Sequence, residues 1–550
     1  MAGGRAIAED LLMRILLLAH SFNSLTQRLW VELEAAGHAV SLELDVNDAV
    51  TLEAVELAQP DIIIAPFLKR AIPEAVWKNH TCLVVHPGPV GDRGPAALDW
   101  AVMNGAESWG VTVLQAEAEM DAGPVWASRT FPLRPATKSS LYRNEVTEAA
   151  VEAVLEALGK PTPHRPGQTL WRPAMTQADR AIDWQSDDTT TVLRKLRAAD
   201  GSPGVLDGEY YLFDGHPADG LSGPPGTWIG QQDGRLARAT NDGAVWIGRM
   251  RRAEKASLKL PAAQVLPGAA DLPVIPGHHD IWYDERHGVG YLHFPFHNGA
   301  MSTDQCQRLH QAFVTATSRP TKVICLMGGL DFWSNGIHLS TIEAALSPAD
   351  ESWRNINAMN DLCQAIITCG SHLTIAALHG NAGAGGVFMA LAADMVLARA
   401  GIILNPHYKG MGNLYGSEYW TYLLPKRCGR LKAEQVVQAR LPMGTVQAME
   451  LGLIDGIFPG TPQEFRARVV AQAESLATAI DMDAKLAAKR LARIADEAEK
   501  PLADYRAEEL ERMKLNFYGF DPSYHVARWN FIRRVPKSRT PLYLARHRQK

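Results

Sequence analysis

Short apolar runs alternate with amphipathic stretches along the N-terminal part of the chain. Each run has the length of a buried strand, and the stretches between them show helical spacing. Strands that alternate with helices are typical of βαβ units and a parallel sheet. We therefore predict a doubly wound α/β domain over residues 12–160, with strands at Ile15–Ala19, Ala39–Leu44, Asp61–Ala65 and Leu83–His86.

The pattern changes twice farther along the chain. Short strand-like pieces separated by glycine and proline predict a small, mostly β module over residues 165–268. Strands that lead into turns and then helices return over residues 280–480, which predicts a second α/β domain. Residues 481–550 are amphipathic and then basic, and we expect a helical tail whose basic residues are solvated. The predicted fold class is thus α/β, with a small β module between two α/β domains.

Composition narrows the function classes. A chain of 550 residues exceeds one hydrophobic core. A formal net charge of −5 argues against a nucleic-acid groove. Six dispersed cysteines without a CxxC pair predict a reducing compartment and no metal site. The first apolar run is too short for a membrane span or a secretory signal, so we expect a cytoplasmic protein.

A histidine stands where a predicted strand ends and a glycine–proline loop begins. Ligand sites on open α/β sheets lie at the carboxyl ends of strands, so His86 is a candidate catalytic residue. A later strand leads to a turn that carries Asp121, which could approach it. A histidine with a carboxylate partner can move protons and stabilise a tetrahedral oxyanion.

With Arg93-Gly94 and Asp121-x-Gly123, this segment resembles the 10-formyltetrahydrofolate-dependent formyltransferases. The resemblance implies that His86 and Asp121 catalyse formyl transfer. It also implies a folate site that includes Ile64, Pro66, Phe67, Lys69 and Arg93. The family has an asparagine two residues before the histidine, and this chain has Val84 there. A missing oxyanion donor costs about 3 kcal/mol in the barrier unless another group compensates.

Two strand-to-turn junctions lie in the second α/β region. One carries Ser334, Asn335 and Gly336, and the other ends in Ala384-Gly385-Gly386. Glycine-rich turns let the backbone approach a ligand closely, so two such turns can direct N–H groups at one carbonyl oxygen. We therefore predict an oxyanion hole here, with these four polar and glycine positions (Ser334, Asn335, Gly336 and Gly386) lining it.

The pair of turns resembles the enoyl-CoA hydratase/isomerase (crotonase) family. That resemblance implies a coenzyme A (CoA) thioester site in which Ile337 and Gly385 donate the two N–H groups. Hydratases use two glutamates, and Phe388 stands at one of those positions, so hydration is not expected. The polar candidates that remain are His407, Tyr415 and Glu418, with Tyr408 and Ser417 nearby in the sequence.

The two domains together resemble the HypX/HoxX family of hydrogenase maturation factors. That resemblance implies formyl transfer from 10-formyltetrahydrofolate to CoA, then decarbonylation of formyl-CoA to the carbon monoxide ligand of [NiFe] hydrogenase. The hydrogenase large-subunit precursor or its maturation machinery would be the partner. Two alternatives stay open: a formyltransferase for an amine acceptor with a non-catalytic crotonase-like domain, and a non-enzymatic scaffold for the hydrogenase precursor.

Overall fold

The computed structural model describes residues 12–159 and 162–549 of the chain. They form two compact units, which are described separately. The first contains the chain up to Asp179 together with the segment that begins at Pro536, and the second spans Arg180–Val535. Among the described residues no helix is long and apolar enough to cross a membrane.

The first unit is built on a six-stranded sheet of order β2-β1-β3-β4-β6-β7. The strands of the first unit are β1 (Arg14–Ala19), β2 (Ala39–Leu44), β3 (Ile62–Phe67), β4 (Cys82–His86), β5 (Asp92–Arg93), β6 (Ser108–Gln115), β7 (Val125–Pro132) and β8 (Leu170–Trp171). Strands β5 and β8 pair with each other in a separate two-stranded sheet. The helices of this unit are α1 (Ser24–Ala35), α2 (Asp48–Ala58), α3 (Glu74–Trp77), α4 (Ala97–Met103), α5 (Lys138–Leu141) and α6 (Thr147–Leu158), with a π-helical turn (Tyr142–Val146) between the last two. The predicted α/β class is confirmed.

Four neighbouring strands of this sheet are parallel, and the last two are not. The strands β1 to β4 run parallel, whereas β6 lies antiparallel to both β4 and β7. Parallel strands covered on both faces need near-continuous apolar sequence. The buried run Ile15–Ala19 in β1 meets that requirement. His86 is the last residue of β4, at the carboxyl edge of the parallel part.

The basic segment after Pro536 packs on β2, which corrects the expectation that the tail is solvated. The Leu42 N–H donates to the Leu544 carbonyl at 3.0 Å. Glu43, whose side chain is fully buried, accepts from His547 Nε2 at 3.0 Å and from Arg548 Nε at 2.7 Å. The basic residues are ordered here because they neutralise a buried carboxylate on an edge strand. Lys550 lies outside the described residues.

The second unit begins with the small β module. It contains α7 (Thr189–Ala199), β9 (Val205–Asp207), β10 (Tyr210–Pro217), β11 (Trp228–Gln232), β12 (Arg235–Ala239), β13 (Ala244–Arg252), β14 (Leu260–Pro261) and α8 (Ala262–Val265). The strands form an antiparallel sheet of order β11-β12-β13-β10-β9. The apolar face of α7 covers it through Val192 and Leu196.

The remainder of the second unit is α/β. Its strands are β15 (Trp282–Arg286), β16 (Val289–Phe294), β17 (Ala300–Met301), β18 (Val323–Gly328), β19 (Phe332–Ser334), β20 (Gly336–Ile337), β21 (Leu373–Leu378), β22 (Asn381–Gly383), β23 (Met395–Arg399), β24 (Ile403–Asn405), β25 (Met443–Gly444) and β26 (Gly456–Phe458). Its helices are α9 (Thr303–Ala316), α10 (Leu339–Ala344), α11 (Pro348–Thr368), α12 (Gly385–Leu391), α13 (Trp420–Cys428), α14 (Arg430–Ala439), α15 (Thr445–Glu450), α16 (Pro462–Ala477), α17 (Met482–Glu499), α18 (Leu502–Tyr518) and α19 (Ser523–Ile532).

Two layers of strands position the turns of this region. The main sheet has the order β15-β16-β18-β21-β23-β26, and its strands are parallel from β16 onward. A smaller sheet of order β19-β22-β24-β25 crosses the strand-to-turn junctions. Pairing of β19 with β22 places the turn after Ser334 beside the turn after Gly383. The two junctions predicted from the sequence are therefore neighbours in space.

Candidate active sites

His86 is held by a carboxylate that the sequence analysis did not assign. Its Nε2 lies 2.9 Å from Asp92 Oδ2, and both side chains are almost fully buried. Asp92 also forms a close ion pair with Arg172. A buried carboxylate on one ring nitrogen fixes the orientation of the ring and the tautomer. The imidazole is therefore fixed between two acids, Asp92 and Asp121.

Asp121 lies on the other side of the same imidazole. Its Oδ2 is 3.5 Å from His86 Nδ1 and accepts a hydrogen bond from the Gly94 N–H at 3.0 Å. Asp121 has a φ of 54°, in the left-handed region. Strain of this kind persists only where the surroundings hold the residue in place. The structure thus brings together His86 and Asp121, the two residues predicted to act on the formyl group.

The proximity of Asp121 to His86 has a different geometric cause from the one expected. Strand β6 is antiparallel to β4, so the turn after β6 does not start at the carboxyl edge where His86 lies. Instead the 116–124 loop folds back. Arg93 holds it, because its Nε donates to the Met120 carbonyl at 3.0 Å and its Nη2 pairs with Glu119 at 2.7 Å. Arg93, predicted to bind folate, has its guanidinium engaged by this loop.

The residues predicted to border the folate lie along β3 and just after it. Ile64 and Pro66 are buried within the strand. Phe67 is half-buried and makes edge-on contacts with His20 and Tyr142, and Lys69 is exposed. Burial raises the pKa of the Tyr142 hydroxyl, which accepts from Asn23 Nδ2 at 3.2 Å.

Val84, which replaces the family asparagine, packs against an apolar cluster that includes Leu16 and Ile63. An apolar neighbour of this kind cannot donate to a formyl oxygen. The donor set on this side of His86 is therefore smaller than in the family pattern.

The two glycine turns of the second unit meet closely. A Cβ placed on Gly336, where φ is 78°, would lie 3.3 Å from the backbone nitrogen of Gly385. A Cβ on Gly386 would lie 2.0 Å from the Ser334 carbonyl oxygen. Gly385 is the first residue of α12, and the first N–H groups of a helix have no partner inside it. Ile337 directly follows Gly336, so both predicted N–H donors belong to this junction.

The supporting groups around the junction are hydrogen-bonded. The Ser334 hydroxyl, fully buried, accepts from the Gly336 N–H at 3.1 Å. Asn335 is exposed, and its Nδ2 donates to the Asn298 carbonyl at 2.8 Å. Ala384 has a φ of 47° and a ψ of −129°, a conformation that costs a non-glycine residue energy. Strain immediately before Gly385 indicates that its N–H is held in a fixed direction.

Glu418 approaches the same junction from another segment. A Cβ on Gly385 would lie 2.3 Å from Glu418 Oε1, so this carboxyl group lines the glycine turn. Glu418 is 1% exposed. Burial raises the pKa of its carboxyl group to about 8, and the nearby charge of Glu509 adds to that rise. At neutral pH most Glu418 side chains are therefore protonated.

Tyr408 is the hydrogen-bond partner of Glu418. Its hydroxyl lies 2.5 Å from Glu418 Oε2 and 2.9 Å from the Ser417 carbonyl oxygen. Its ring stacks on Phe388 with the centroids 5.3 Å apart. Phe388 thus fills with an apolar ring the position at which hydratases carry a glutamate. Glu418 is therefore the acid that combines a position at this turn with a raised pKa.

The two other predicted catalytic residues are less directly engaged. Tyr415 packs against Trp420 with the ring centroids 5.5 Å apart. Burial lowers the pKa of His407 to about 4, and its Nδ1 is a buried nitrogen without a hydrogen-bond partner in the part of the chain that the structure describes. No hydrogen bond or ion pair joins either residue to Glu418 among the described residues. Their catalytic role remains a prediction.

Glu509 on α18 supports the Glu418 segment from below. It is fully buried and accepts from the Tyr419 and Thr421 N–H groups at 3.0 and 2.9 Å. Burial raises the pKa of its carboxyl group to about 7. The only sequence signal for this contact is an acid that follows the same helical spacing as the buried residues Leu502, Met513 and Phe517 of α18.

Comparison with protein families assigns a family to nearly every segment. A model described as formyl transferase matches residues 41–158. The C-terminal domain of formyl transferases matches residues 174–265. A model described as enoyl-CoA hydratase/isomerase matches residues 286–516. The two resemblances that the motifs suggested are therefore confirmed, in the predicted order along the chain.

Individual relatives match over most of the chain. The hydrogenase maturation factor HoxX of Bradyrhizobium diazoefficiens is 58% identical over 98% of this chain and 97% of its own length. A crystal structure of HypX from Aquifex aeolicus in complex with tetrahydrofolic acid superposes with a TM-score of 0.95 at 51% identity, over 98% of this chain and 99% of that one. A methionyl-tRNA formyltransferase of Granulibacter bethesdensis is 28% identical over 33% of this chain and 59% of its own length.

Proposed function

Because the chain belongs to the HypX/HoxX family of hydrogenase maturation factors, we propose that it makes carbon monoxide in two steps. The first step transfers a formyl group from 10-formyltetrahydrofolate to the thiol of CoA. The second step decarbonylates the formyl thioester to carbon monoxide and free CoA. When bound, the folate supplies the formyl group and CoA supplies the thiol that accepts it.

The first step takes place at His86. Asp92 holds the ring of His86 through Nε2, so Nδ1, on the side of Asp121, is the nitrogen that accepts the thiol proton. The sulfur then attacks the formyl carbon, the N10–carbon bond breaks, and the folate nitrogen takes a proton. The β3 edge, with the half-buried Phe67, Tyr142 and Asn23, offers aromatic and polar contacts suited to a pterin ring.

The second step takes place at the glycine junction. The N–H groups of Ile337 and Gly385 hold the thioester oxygen. The ionised fraction of Glu418 removes the formyl proton, the carbon–sulfur bond breaks, and the resulting acid returns a proton to sulfur. Carbon monoxide and a thiol are formed without oxidant, reductant or water. Tyr408, at 2.5 Å, orients the carboxyl group.

One observation carries this proposal. Glu418, a buried acid whose pKa is raised to about 8, lines the glycine turn at Gly385, while Phe388 fills the position of a hydratase glutamate. A general acid/base works best when its pKa is near the operating pH. An apolar ring beside it disfavours addition of water to the thioester. We further propose that the carbon monoxide serves the [NiFe] hydrogenase large-subunit precursor, on the basis of the family.

The test measures carbon monoxide released by the purified full chain from 10-formyltetrahydrofolate and CoA, detected by haemoglobin absorbance. Release should require CoA. His86→Ala should abolish both tetrahydrofolate and carbon monoxide. Glu418→Gln should abolish carbon monoxide but leave formyl transfer, so that tetrahydrofolate and formyl-CoA accumulate. Glu511→Gln, an exposed acid on α18, is the matched control and should behave as the parent.

The same assay distinguishes the alternatives. A formyltransferase for an amine acceptor would form tetrahydrofolate only when an amine is added, with or without CoA. A scaffold would release neither product, and His86→Ala would not impair hydrogenase maturation in cells. Carbon monoxide formation by Glu418→Gln at the parental rate would contradict the assignment of Glu418.

A further inference from the structure

A polar cavity lies in the unit Arg180–Val535, between the β module and the start of the crotonase-like region. Its volume is about 380 Å³. Side chains from the β11–β12 turn, from β13 and from the beginnings of α9 and α10 line it. Its walls are unusually charged for an interior site, with three arginines and three aspartates. None of these residues takes part in the two reaction steps proposed above.

The three arginines differ in how they are neutralised. Arg308 donates to both oxygens of Asp280 at 2.7 and 3.0 Å and to Asp304 at 2.8 Å. Arg235 and Arg249 are 92% and 93% buried. Neither forms an ion pair with a carboxylate among residues 12–159 and 162–549. The charges of Asp214 and Asp280 act on Arg249 from nearby, but a buried arginine without a direct ion pair still has donors to satisfy.

The one hydrogen-bond-range neighbour of the Arg249 side chain among the described residues is the His338 ring. The Arg249 Nη1 lies 3.5 Å from His338 Nε2. His338 Nδ1 accepts from the Thr341 N–H at 3.3 Å, and burial lowers the pKa of this histidine to about 3, so the ring is neutral. A neutral imidazole that accepts at Nδ1 carries its proton on Nε2. Arg249 and His338 therefore present two neighbouring N–H groups, and neither donates to a carboxylate or carbonyl oxygen in the part of the chain that the structure describes.

Arg235 adds an unused donor to the same wall. Its Nε is a buried nitrogen without a hydrogen-bond partner in the described part of the chain. Burial lowers the pKa of Arg249 to about 10; the charges of Asp214 and Asp280 oppose this shift, and the charge of Arg235 adds to it, so the two guanidinium groups repel each other. An anion between them would remove that repulsion and satisfy the free donors.

We propose that this cavity binds a phosphate-class oxyanion between Arg235, Arg249 and His338. Two guanidinium groups and an imidazole N–H match the several acceptor oxygens of such an ion. The anion is either free phosphate or the phosphate group of a larger molecule such as CoA. The site adjoins the oxyanion turn in sequence, because His338 follows Ile337. A bound anion would therefore fix the position of the loop that carries Ile337.

The test is thermal unfolding and calorimetric titration of the full chain with inorganic phosphate, against chloride at equal ionic strength. Phosphate should raise the melting temperature of the parent with increasing concentration. Arg249→Met should weaken phosphate binding roughly 10- to 100-fold. The melting temperature of Arg249→Met should respond to phosphate much less than that of the parent. Arg252→Met, exposed on the same strand, should match the parent.

Competition identifies the source of the phosphate group. If CoA abolishes the phosphate response and dephospho-CoA does not, the occupant is the 3′-phosphate of CoA. If neither competes, the site holds a free anion. The proposal is overturned if phosphate has no effect on the parent, or if Arg249→Met keeps the phosphate response. Neither result depends on carbon monoxide release, so the proposed function is tested separately.

Discussion

A single titration at Glu418 should govern both the stability of the second unit and the rate of decarbonylation, with opposite signs. The burial that raises the pKa of this carboxyl group from 4.5 to about 8 makes its ionised form costly in the folded state. In the function proposed above, the same ionised form is the base that removes the formyl proton. We therefore expect the protein to become less stable and more active as the pH rises towards 8.

The magnitudes follow from the size of the shift. A group whose folded pKa is raised favours folding below its unfolded pKa, and this contribution is lost as the pH rises through the folded pKa. The shift from 4.5 to about 8 is worth at most about 5 kcal/mol at about 1.4 kcal/mol per pH unit. The loss falls between pH 4.5 and pH 8. Over the same range the rate should rise about tenfold per pH unit, so that at pH 7 it is about a tenth of its plateau.

The assay compares the parent with Glu418→Gln, whose amide cannot ionise. The difference in melting temperature of the second unit should grow in favour of the variant from pH 5 to pH 8 and then level off. Difference infrared spectroscopy should show a protonated-carboxyl band in the parent at pH 7 that the variant lacks. Glu511→Gln should reproduce the parental stability profile.

The reasoning would be refuted by parallel profiles. If the parent and Glu418→Gln lose stability equally with pH, Glu418 is already ionised at low pH and is not held protonated by burial. If the stability curves diverge but the rate of carbon monoxide release does not change with pH, the carboxyl group titrates as inferred, and the base is another residue.

Three further predictions concern the supporting residues. Asp92→Asn should lower the rate of formyl transfer about 100-fold at saturating folate, because it removes the acceptor that fixes His86; tetrahydrofolate formation measures it, and an unchanged rate would contradict it. Removal of residues 536–549 should destabilise the first unit by about 3–5 kcal/mol, because Glu43 would be left buried without its cations. Adding Glu43→Gln to that truncation should restore part of the melting temperature, and no recovery would exclude this cause. Glu509→Gln should move the midpoint of the rate profile to lower pH, because it removes the charge that helps to raise the pKa of Glu418; Glu508→Gln, exposed on the same helix, should leave it in place.

Hydrophobic periodicity was sufficient to predict the two α/β regions and the β module, because strand and helix patterns are local. It also placed His86 at a strand end and the two glycine turns after strands. Proximity was harder to predict. The expectation that Asp121 approaches His86 agrees with the 3.5 Å separation. The cause is the returning 116–124 loop held by Arg93, and a sheet reversal between β4 and β6 cannot be read from apolar spacing.

The buried charges were the least predictable features. Asp92 stands in the same loop as Arg93, but its contact with His86 depends on a turn whose path is set by tertiary packing. Glu43 is the one charged residue in β2, and it is a usable signal that the strand meets cations elsewhere. The sequence of the basic tail alone indicates a solvated segment, because its partner, Glu43, lies about 500 residues earlier in the chain.

The helical tail contributes to the enclosure of the Glu418 carboxyl group. Crotonase-like strands and turns supply the oxyanion junction, but they do not by themselves determine the protonation of Glu418. That depends on enclosure, and α18 contributes to it by covering the segment with the buried Glu509. Ser417 links the two acids, since its hydroxyl lies 3.3 Å from Glu509 and its N–H 3.2 Å from Glu418. A helix outside the sheet thus helps to raise the pKa of a group at the glycine turn, and under the proposed function this gives the tail a role in catalysis as well as in packing.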